Sequence, residues 1–207
     1  MTEIPVMLLA AGHSERMGEA KQLLPWGDST LIEHQIGSLL KTGQPLLVVL
    51  GSRSEQILPL VEKFHLDIVV NREWEQGMGS SITAGMNRVT DRYPGSMGVL
   101  IALVDQPLVP PDHYRMMLQA FQPETGSILA SRSKTGLKGV PALFDAAYFR
   151  ELAALDGAGG AKHVIRAHSN KVVYVDCDEM GEDLDTPEDY RRLHAIWTGK
   201  LNNWKTS

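Results

Sequence analysis

Residues 98–104 read Gly-Val-Leu-Ile-Ala-Leu-Val. A continuous, branched apolar run of this length fits a strand covered by helices on both faces, as in a parallel sheet. Shorter runs of the same kind occur at 4–10 (IPVMLLA), 46–50 (LLVVL), 67–70 (DIVV) and 171–176 (KVVYVD). Between them lie amphipathic stretches. Residues 30–42 carry Ile32, Ile36, Leu39 and Leu40 at helical spacing, and Thr30 with Glu33 has the form of a capping box. Further helices are predicted over 54–63, 80–90, 112–121, 145–154, 160–168 and 187–198, with Pro59 expected to delay, break or kink the first of these. Shorter strands are predicted over 127–131 and 139–144. The alternation of strand and helix up to residue 121 predicts right-handed βαβ units. The expected fold is therefore α/β, a three-layer αβα sandwich around a mostly parallel central sheet. The later segments are expected to add an antiparallel edge and a lid-like subregion.

The chain has 207 residues, which suits one domain over 1–199 followed by a polar tail over 200–207. No apolar run approaches the ~20 residues of a membrane span. The opening MTEIPVM is acidic and enters a strand-like run at once, unlike a signal peptide. The single cysteine, Cys177, allows no disulfide within the chain and suits a reducing cytoplasm. A net charge of −5 argues against a protein that coats nucleic acid. A small anionic ligand needs only a local cluster of cations. The seven histidines show no metal-binding spacing, and the tryptophans read as packing or rim residues.

The connection after the first strand is the chemical focus. Residues 10–29, AAGHSERMGEAKQLLPWGDS, fill a gap where the usual length is ~4–6 residues. Small residues at the strand end, Ala10, Ala11 and Gly12, let a ligand approach the backbone, and glycines let successive N–H groups turn inward onto an anion. Arg16 and Lys21 add positive charge suited to a polyphosphate. A plain surface loop is the competing reading. The spacing fits neither a Walker A loop nor G-x-G-x-x-G, and a lipase elbow fails because Arg16 stands at its last position.

Two acidic points could face this loop. Asp105 ends the buried run 98–104, and Asp185 stands at a strand-to-helix junction, Asp183-Leu184-Asp185-Thr186-Pro187. Two carboxylates with phosphate oxygens can build the octahedral site that Mg²⁺ prefers. Equally, Asp105 could cap a turn before Pro107, and Asp185 could be the N-cap of the last helix. In 77–85, GMGSSITAG, Ser80 or Ser81 could read a base edge or cap a helix.

The text LLAAGHSERMG followed by EAKQLLPWG resembles the first signature of the MobA/MocA-type nucleotidyltransferases, with LAAG-x-S-x-R-MG-x-x-K matched from Leu9 to Lys21. The resemblance runs from Val6 to Tyr190. It implies the nucleotide-diphospho-sugar transferase (Rossmann-like) fold and a nucleotide held by Ala10, Ala11, Gly12, Arg16 and Lys21. Gly12 would meet the phosphates through its backbone, Arg16 the leaving pyrophosphate and Lys21 the α-phosphate. Asp105, in a Asp-Gln-Pro segment, and Asp185, in Asp183-Leu184-Asp185-Thr186-Pro187-Glu188-Asp189-Tyr190, match the family's Mg²⁺ ligands, with Arg16, Lys21 and Asp105 as the catalytic set. Ser81, with Ser80 second, matches a segment that contacts cytosine in related cytidylyltransferases, and the LAAG wording resembles the cytidylyl branch.

The acceptor half departs from the family pattern. In Lys138–Phe144 (KGVPALF), Val140 stands where histidine is common, leaving Gly139 and Pro141 as matches. In Leu155–Ile165 the aspartate is displaced and Lys162 replaces arginine, which keeps the charge but loses the bidentate fork. The resemblance implies Mg²⁺-dependent cytidylyl transfer from CTP to the terminal phosphate of molybdopterin, giving molybdopterin cytosine dinucleotide and pyrophosphate. An acceptor molybdenum hydroxylase or its chaperone is the implied protein partner. The rival readings are transfer to a sugar or polyol phosphate, and a non-catalytic nucleotide- or cofactor-binding chaperone for molybdenum hydroxylases.

Overall fold

The computed structural model describes residues 3–157 and 159–205. Its first half alternates strand and helix: β1 (Val6–Ala10), a short hairpin β2 (Pro25–Trp26) and β3 (Ser29–Thr30), α1 (Leu31–Leu40), β4 (Leu46–Leu50), α2 (Ser54–Glu62), β5 (Asp67–Val70), α3 (Met78–Arg92) and β6 (Gly98–Leu103). The second half contains α4 (Pro111–Ala120), β7 (Ile128–Arg132), β8 (Lys138–Asp145), α5 (Phe149–Ala153), α6 (Ala161–Ala167), β9 (Val172–Asp176) and α7 (Pro187–Lys205). Seven strands form one sheet in the order β5-β4-β1-β6-β8-β7-β9, and β2 with β3 form a separate ribbon.

Strand periodicity explains the three layers. Along β1, Val6, Leu8 and Ala10 join one apolar cluster, whereas Met7 and Leu9 join the other. The first cluster takes Ile36 from α1, Ile57 from α2, Tyr114 from α4 and Leu193 from α7. The second takes Ile82 from α3, Leu152 from α5 and Val164 from α6. Because both faces are covered, all five residues of β1 and of β4 are buried. The α1 start follows the capping-box pattern: the Glu33 carboxylate accepts from the Thr30 N–H at 2.7 Å and from its hydroxyl at 2.6 Å.

Several expectations need correction. The antiparallel strand is not an edge: β8 lies inside the sheet, antiparallel to both β6 and β7, and the edges are β5 and β9. Its burial shows why, since Gly139 to Asp145 are all buried, whereas every residue of β9 keeps some exposure. The segment expected to behave as a lid is α5 and α6, which pack on the sheet beside α3. Pro59 does not break α2; it lies on the exposed side, where the carbonyl it leaves without an N–H partner can face water. The last helix passes 198 and includes 200–205, because Gly199 weakens a helix by only ~1 kcal/mol and no proline follows it. The expected tail is thus helical up to Lys205, and residues 206–207 lie outside the described residues.

The α3 layer sits close to the sheet because Gly85 has no side chain. A Cβ there would stand 2.6 Å from the Met7 Sδ and 3.0 Å from a Val49 methyl. Gly85→Val should overpack this contact and lower stability by about 1–3 kcal/mol, measured by urea denaturation, while Gly95→Val at an exposed turn, where nothing lies within 4 Å, should cost far less.

Candidate active site

The carboxyl ends of the parallel strands are where open α/β sheets bind ligands. The β1 end runs into a loop that makes two short 3-10 turns, Glu15–Met17 and Lys21–Leu23. Gly18 has φ +72°, a left-handed conformation that suits glycine. A Cβ on Gly12 would meet nothing within 4 Å, so its backbone faces open space. Gln22 holds the loop from beneath. Its buried amide donates to the Ala10 carbonyl at 2.8 Å and the Gly12 carbonyl at 3.2 Å.

The second short turn delivers Lys21 to the acidic points. Its ammonium donates to Asp105 Oδ2 at 3.0 Å, to the Leu184 carbonyl at 3.0 Å and to Asp185 Oδ1 at 3.2 Å. Arg16 donates to the other Asp185 oxygen at 2.8 Å. The loops bearing the two acids are joined directly, because the Leu184 N–H donates to the Asp105 carbonyl at 2.8 Å. Gln106 donates to Asp183 at 2.9 Å, turning that acid away from the lysine.

Both acids are spared from the capping roles that sequence left open. At α7, Thr186 caps instead: its hydroxyl donates to Asp189 at 2.7 Å and accepts from the Asp189 N–H at 3.2 Å. Asp105 makes no capping bond; its Oδ2 holds Lys21, and its Oδ1 is buried without a partner. Burial pushes the Asp105 carboxyl above the usual carboxylate range, the charges of Asp183 and Asp185 push the same way, and Lys21 offsets only part of this. For Lys21, burial opposes the ammonium, but the charges and hydrogen bonds of Asp105 and Asp185 outweigh it and raise its pKa.

Beside this cluster lies a cleft of about 280 Å³ lined by Ala11, Gly12, Lys21, Trp74, Ser81 and Asp105. His13 forms part of its wall, stacked on Trp74 with ring centroids 5.3 Å apart and bonded to Ser52 at 2.7 Å. Asn71 donates to both Ser80 and Ser81; Ser81 reaches the cleft, whereas the Ser80 hydroxyl turns to donate to the Glu73 or Gly77 carbonyl. Ala10 faces the α1 side of the sheet, so it can contribute only through its backbone. A second hollow of about 410 Å³ opens on the other side of Asp105, with Asp185, Val140, Lys162, His163 and Arg166 in its wall. Gly139 and Pro141 are buried in β8, and it is Val140 between them that faces this hollow. Gly139 has a spacing role, since a Cβ there would come 3.1 Å from the Lys162 side chain. A third hollow, about 730 Å³ between α1 and Pro107–Pro111, contains none of Arg16, Lys21, Asp105 or Asp185.

Gln22 and Arg166 were not singled out from sequence, and Trp74, read there as a packing or rim residue, stands in the cleft wall. Gln22 had a signal, a polar residue between Lys21 and the apolar Leu23-Leu24, whereas Trp74 and Arg166 are identified only by the folds of distant segments.

The MobA-like NTP transferase domain family matches residues 6–172. The chain belongs to this family. As a member it is a nucleotidyltransferase. It is 32% identical to nicotine blue oxidoreductase of Paenarthrobacter nicotinovorans, over 93% of this chain and 98% of that protein. It is 29% identical to the purine catabolism protein PucB of Bacillus subtilis, over 89% and 92% of the two chains. Identity to the molybdenum cofactor cytidylyltransferase of Escherichia coli is 23%, over 92% and 95%. The crystal structure of Rv0371c from Mycobacterium tuberculosis superposes with a TM-score of 0.79 at 31% identity, covering 94% of this chain and 99% of that one. A manganese complex of Rv0371c gives 0.74 at 30%, covering 94% and 98%.

Lys21 is set between the Asp105 and Asp185 carboxylates, so its loss has a signed pH effect. In Lys21→Met the uncompensated Asp105 carboxylate should lower stability by about 1–3 kcal/mol at pH 8. With the folded pKa of Asp105 raised further, the native state binds more protons than the unfolded chain, so stability should recover as the pH falls through that range. Urea denaturation at pH 5 and pH 8 reads this; an equal loss at both values would contradict it.

Proposed function

We propose that this chain transfers a cytidylyl group from CTP to the terminal phosphate of molybdopterin, releasing pyrophosphate. The observation that carries the reading is the placing of Lys21 between Asp105 and Asp185 at the root of an open glycine loop. Such a cluster can meet a triphosphate on one side and an acceptor phosphate on the other. The similarity to the Escherichia coli cytidylyltransferase supports the substrate class.

In this reading the backbone around Gly12 holds the triphosphate, and Arg16 engages its outer phosphates. Lys21 stands by the α-phosphate, where charge grows as the acceptor oxygen bonds to phosphorus and the bond to the β-phosphate oxygen breaks. Fixed cations of this kind stabilise the transition state without reorganising. Ser81 and the Trp74 wall face the base. Ala11 lines the same cleft, and its place in the LAAG wording, which resembles the cytidylyl branch, supports cytosine.

A divalent cation fits the donor set. Among the described residues no group of three or more His, Cys, Asp or Glu gathers for a metal, so the chain offers a pair of hard carboxylates and the phosphates complete the shell. The buried, unpartnered Asp105 Oδ1 is the available ligand atom, with Asp185 beside it. Bound there, Mg²⁺ would neutralise phosphate charge and orient the α-phosphorus. That Rv0371c, at 30% identity, forms a complex with manganese supports a divalent ion as the cofactor.

A second reading, electron transfer at the same cleft, is favoured by the 32% identity to nicotine blue oxidoreductase. Pyrophosphate release from CTP supports the first reading, and loss of reduced nicotinamide absorbance with a dye acceptor supports the second.

Asp105→Asn should cut the rate of cytidylyl transfer by about 10²–10³ with the fold intact by circular dichroism, comparable to removing one electrostatic stabiliser. Near-normal turnover at saturating Mg²⁺ would remove Asp105 from the site. In competition at equal CTP and GTP, labelled cytosine should enter the product and guanine should not; equal incorporation would overturn the base assignment alone.

A further inference from the structure

Next to the hollow that contains Asp105 lies a second chamber that no step of the transfer uses. Lys162 and Arg166 are four residues apart on α6 and so point to one side. Both line the 410 Å³ hollow that contains Asp105, and both also line a separate hollow of about 270 Å³ with Lys138, Ile165, Ser169 and Tyr174. Lys138 comes from the start of β8, with its ammonium 4.5 Å from the centre of the Tyr174 ring. Tyr174 comes from β9.

The charges in this chamber are unbalanced. Among the described residues no carboxylate lies within ion-pair distance of Lys138, Lys162 or Arg166. Nearby cations are matched, Arg132 by Asp176 at 2.8 Å and Lys134 by Asp178. The acids facing Lys162 across the first hollow are already engaged, Asp185 by Arg16 and Lys21, and Asp183 by Gln106. Cations gathered around a hollow repel one another unless an anion comes between them. Lys and Arg differ in what they offer: two point charges and one planar fork suit an oxyanion approached from several sides.

We propose that Lys138, Lys162, Arg166 and Tyr174 form a second anion site that seats the far end of the acceptor. The acceptor is then an elongated molecule with two anionic ends. Its reacting phosphate lies by Asp105 and Lys21, and a second oxyanion lies in the chamber against the Tyr174 face. Lys162 and Arg166 line both places. A short polyol phosphate has no group to reach this chamber. Naming the occupant as the acceptor rests on the transferase reading; the anion site itself does not.

The probe is tungstate, a dianion visible by anomalous diffraction. It is titrated calorimetrically into the full chain with and without CTP and Mg²⁺, and then located in crystals. One tungstate should be held among Lys138, Lys162 and Arg166 whether or not CTP is present. Lys138→Gln and Arg166→Gln should each weaken it at least tenfold. Tungstate found only at the glycine loop and displaced by CTP, or binding unchanged in both variants, would overturn the proposal. Tungstate held in the chamber of a chain that does not release pyrophosphate from CTP would keep the anion site and remove the transferase reading instead.

Discussion

A lysine ammonium with almost no access to water holds the site together. Lys21 has a relative exposure of 8%, and burying such a group is costly unless its hydrogen bonds are all made. Its three acceptors come from two distant parts of the chain, Asp105 at the end of β6 and Leu184-Asp185 before α7. The first βα loop is thereby fastened to segments 84 and 164 positions further on. The reverse dependence is equally strong. Without the lysine, acids on neighbouring loops would face one another across a partly dry gap, and the link from the Leu184 N–H to Asp105 would hold like charges together.

Much of this was legible in the sequence, for physical reasons. Runs such as Val6–Ala10 and Leu46–Leu50 are uniformly apolar because helices cover both of their faces, so they announce a parallel sheet directly. The loop bearing Arg16 and Lys21 stood out because its length and glycines have no structural excuse in a compact domain. What sequence could not resolve was competition between equivalent roles. Asp185 and Thr186 are both good helix caps, and the outcome follows from Asp189 pairing with Thr186, which leaves Asp185 to the lysine. Ser80 and Ser81 are adjacent and alike, and helical geometry turns one into the Glu73 and Gly77 carbonyls and the other to the cleft. The place of β8 was hidden because an apolar strand reads the same in either direction.

Charge is distributed around the strand ends in a graded way. Acids and the buried lysine occupy the middle, where β1 and β6 end. Exposed cations lie further out, Arg16 on the glycine loop and Lys162 and Arg166 on α6. A polyanion approaching from solvent therefore meets positive charge first and carboxylates last. The net charge of −5 says nothing of this local order, because attraction at a few ångströms is set by the nearest side chains.

The reversal of β8 has a wider consequence. Parallel strands give the site their last residues, but β8 runs the other way and gives it its first, Lys138 to Val140. The turn that precedes it, residues 133–137, is exposed for most of its length and is held by its own hairpin and by the Lys134–Asp178 ion pair to the segment after β9. Insertions or exchanges in that hairpin would reshape one wall of the hollow while leaving the glycine loop, Gln22 and Lys21 untouched. The two halves of the site can therefore vary separately, so that a lineage keeping one phosphate-handling apparatus can acquire new small-molecule specificities by altering a single surface turn.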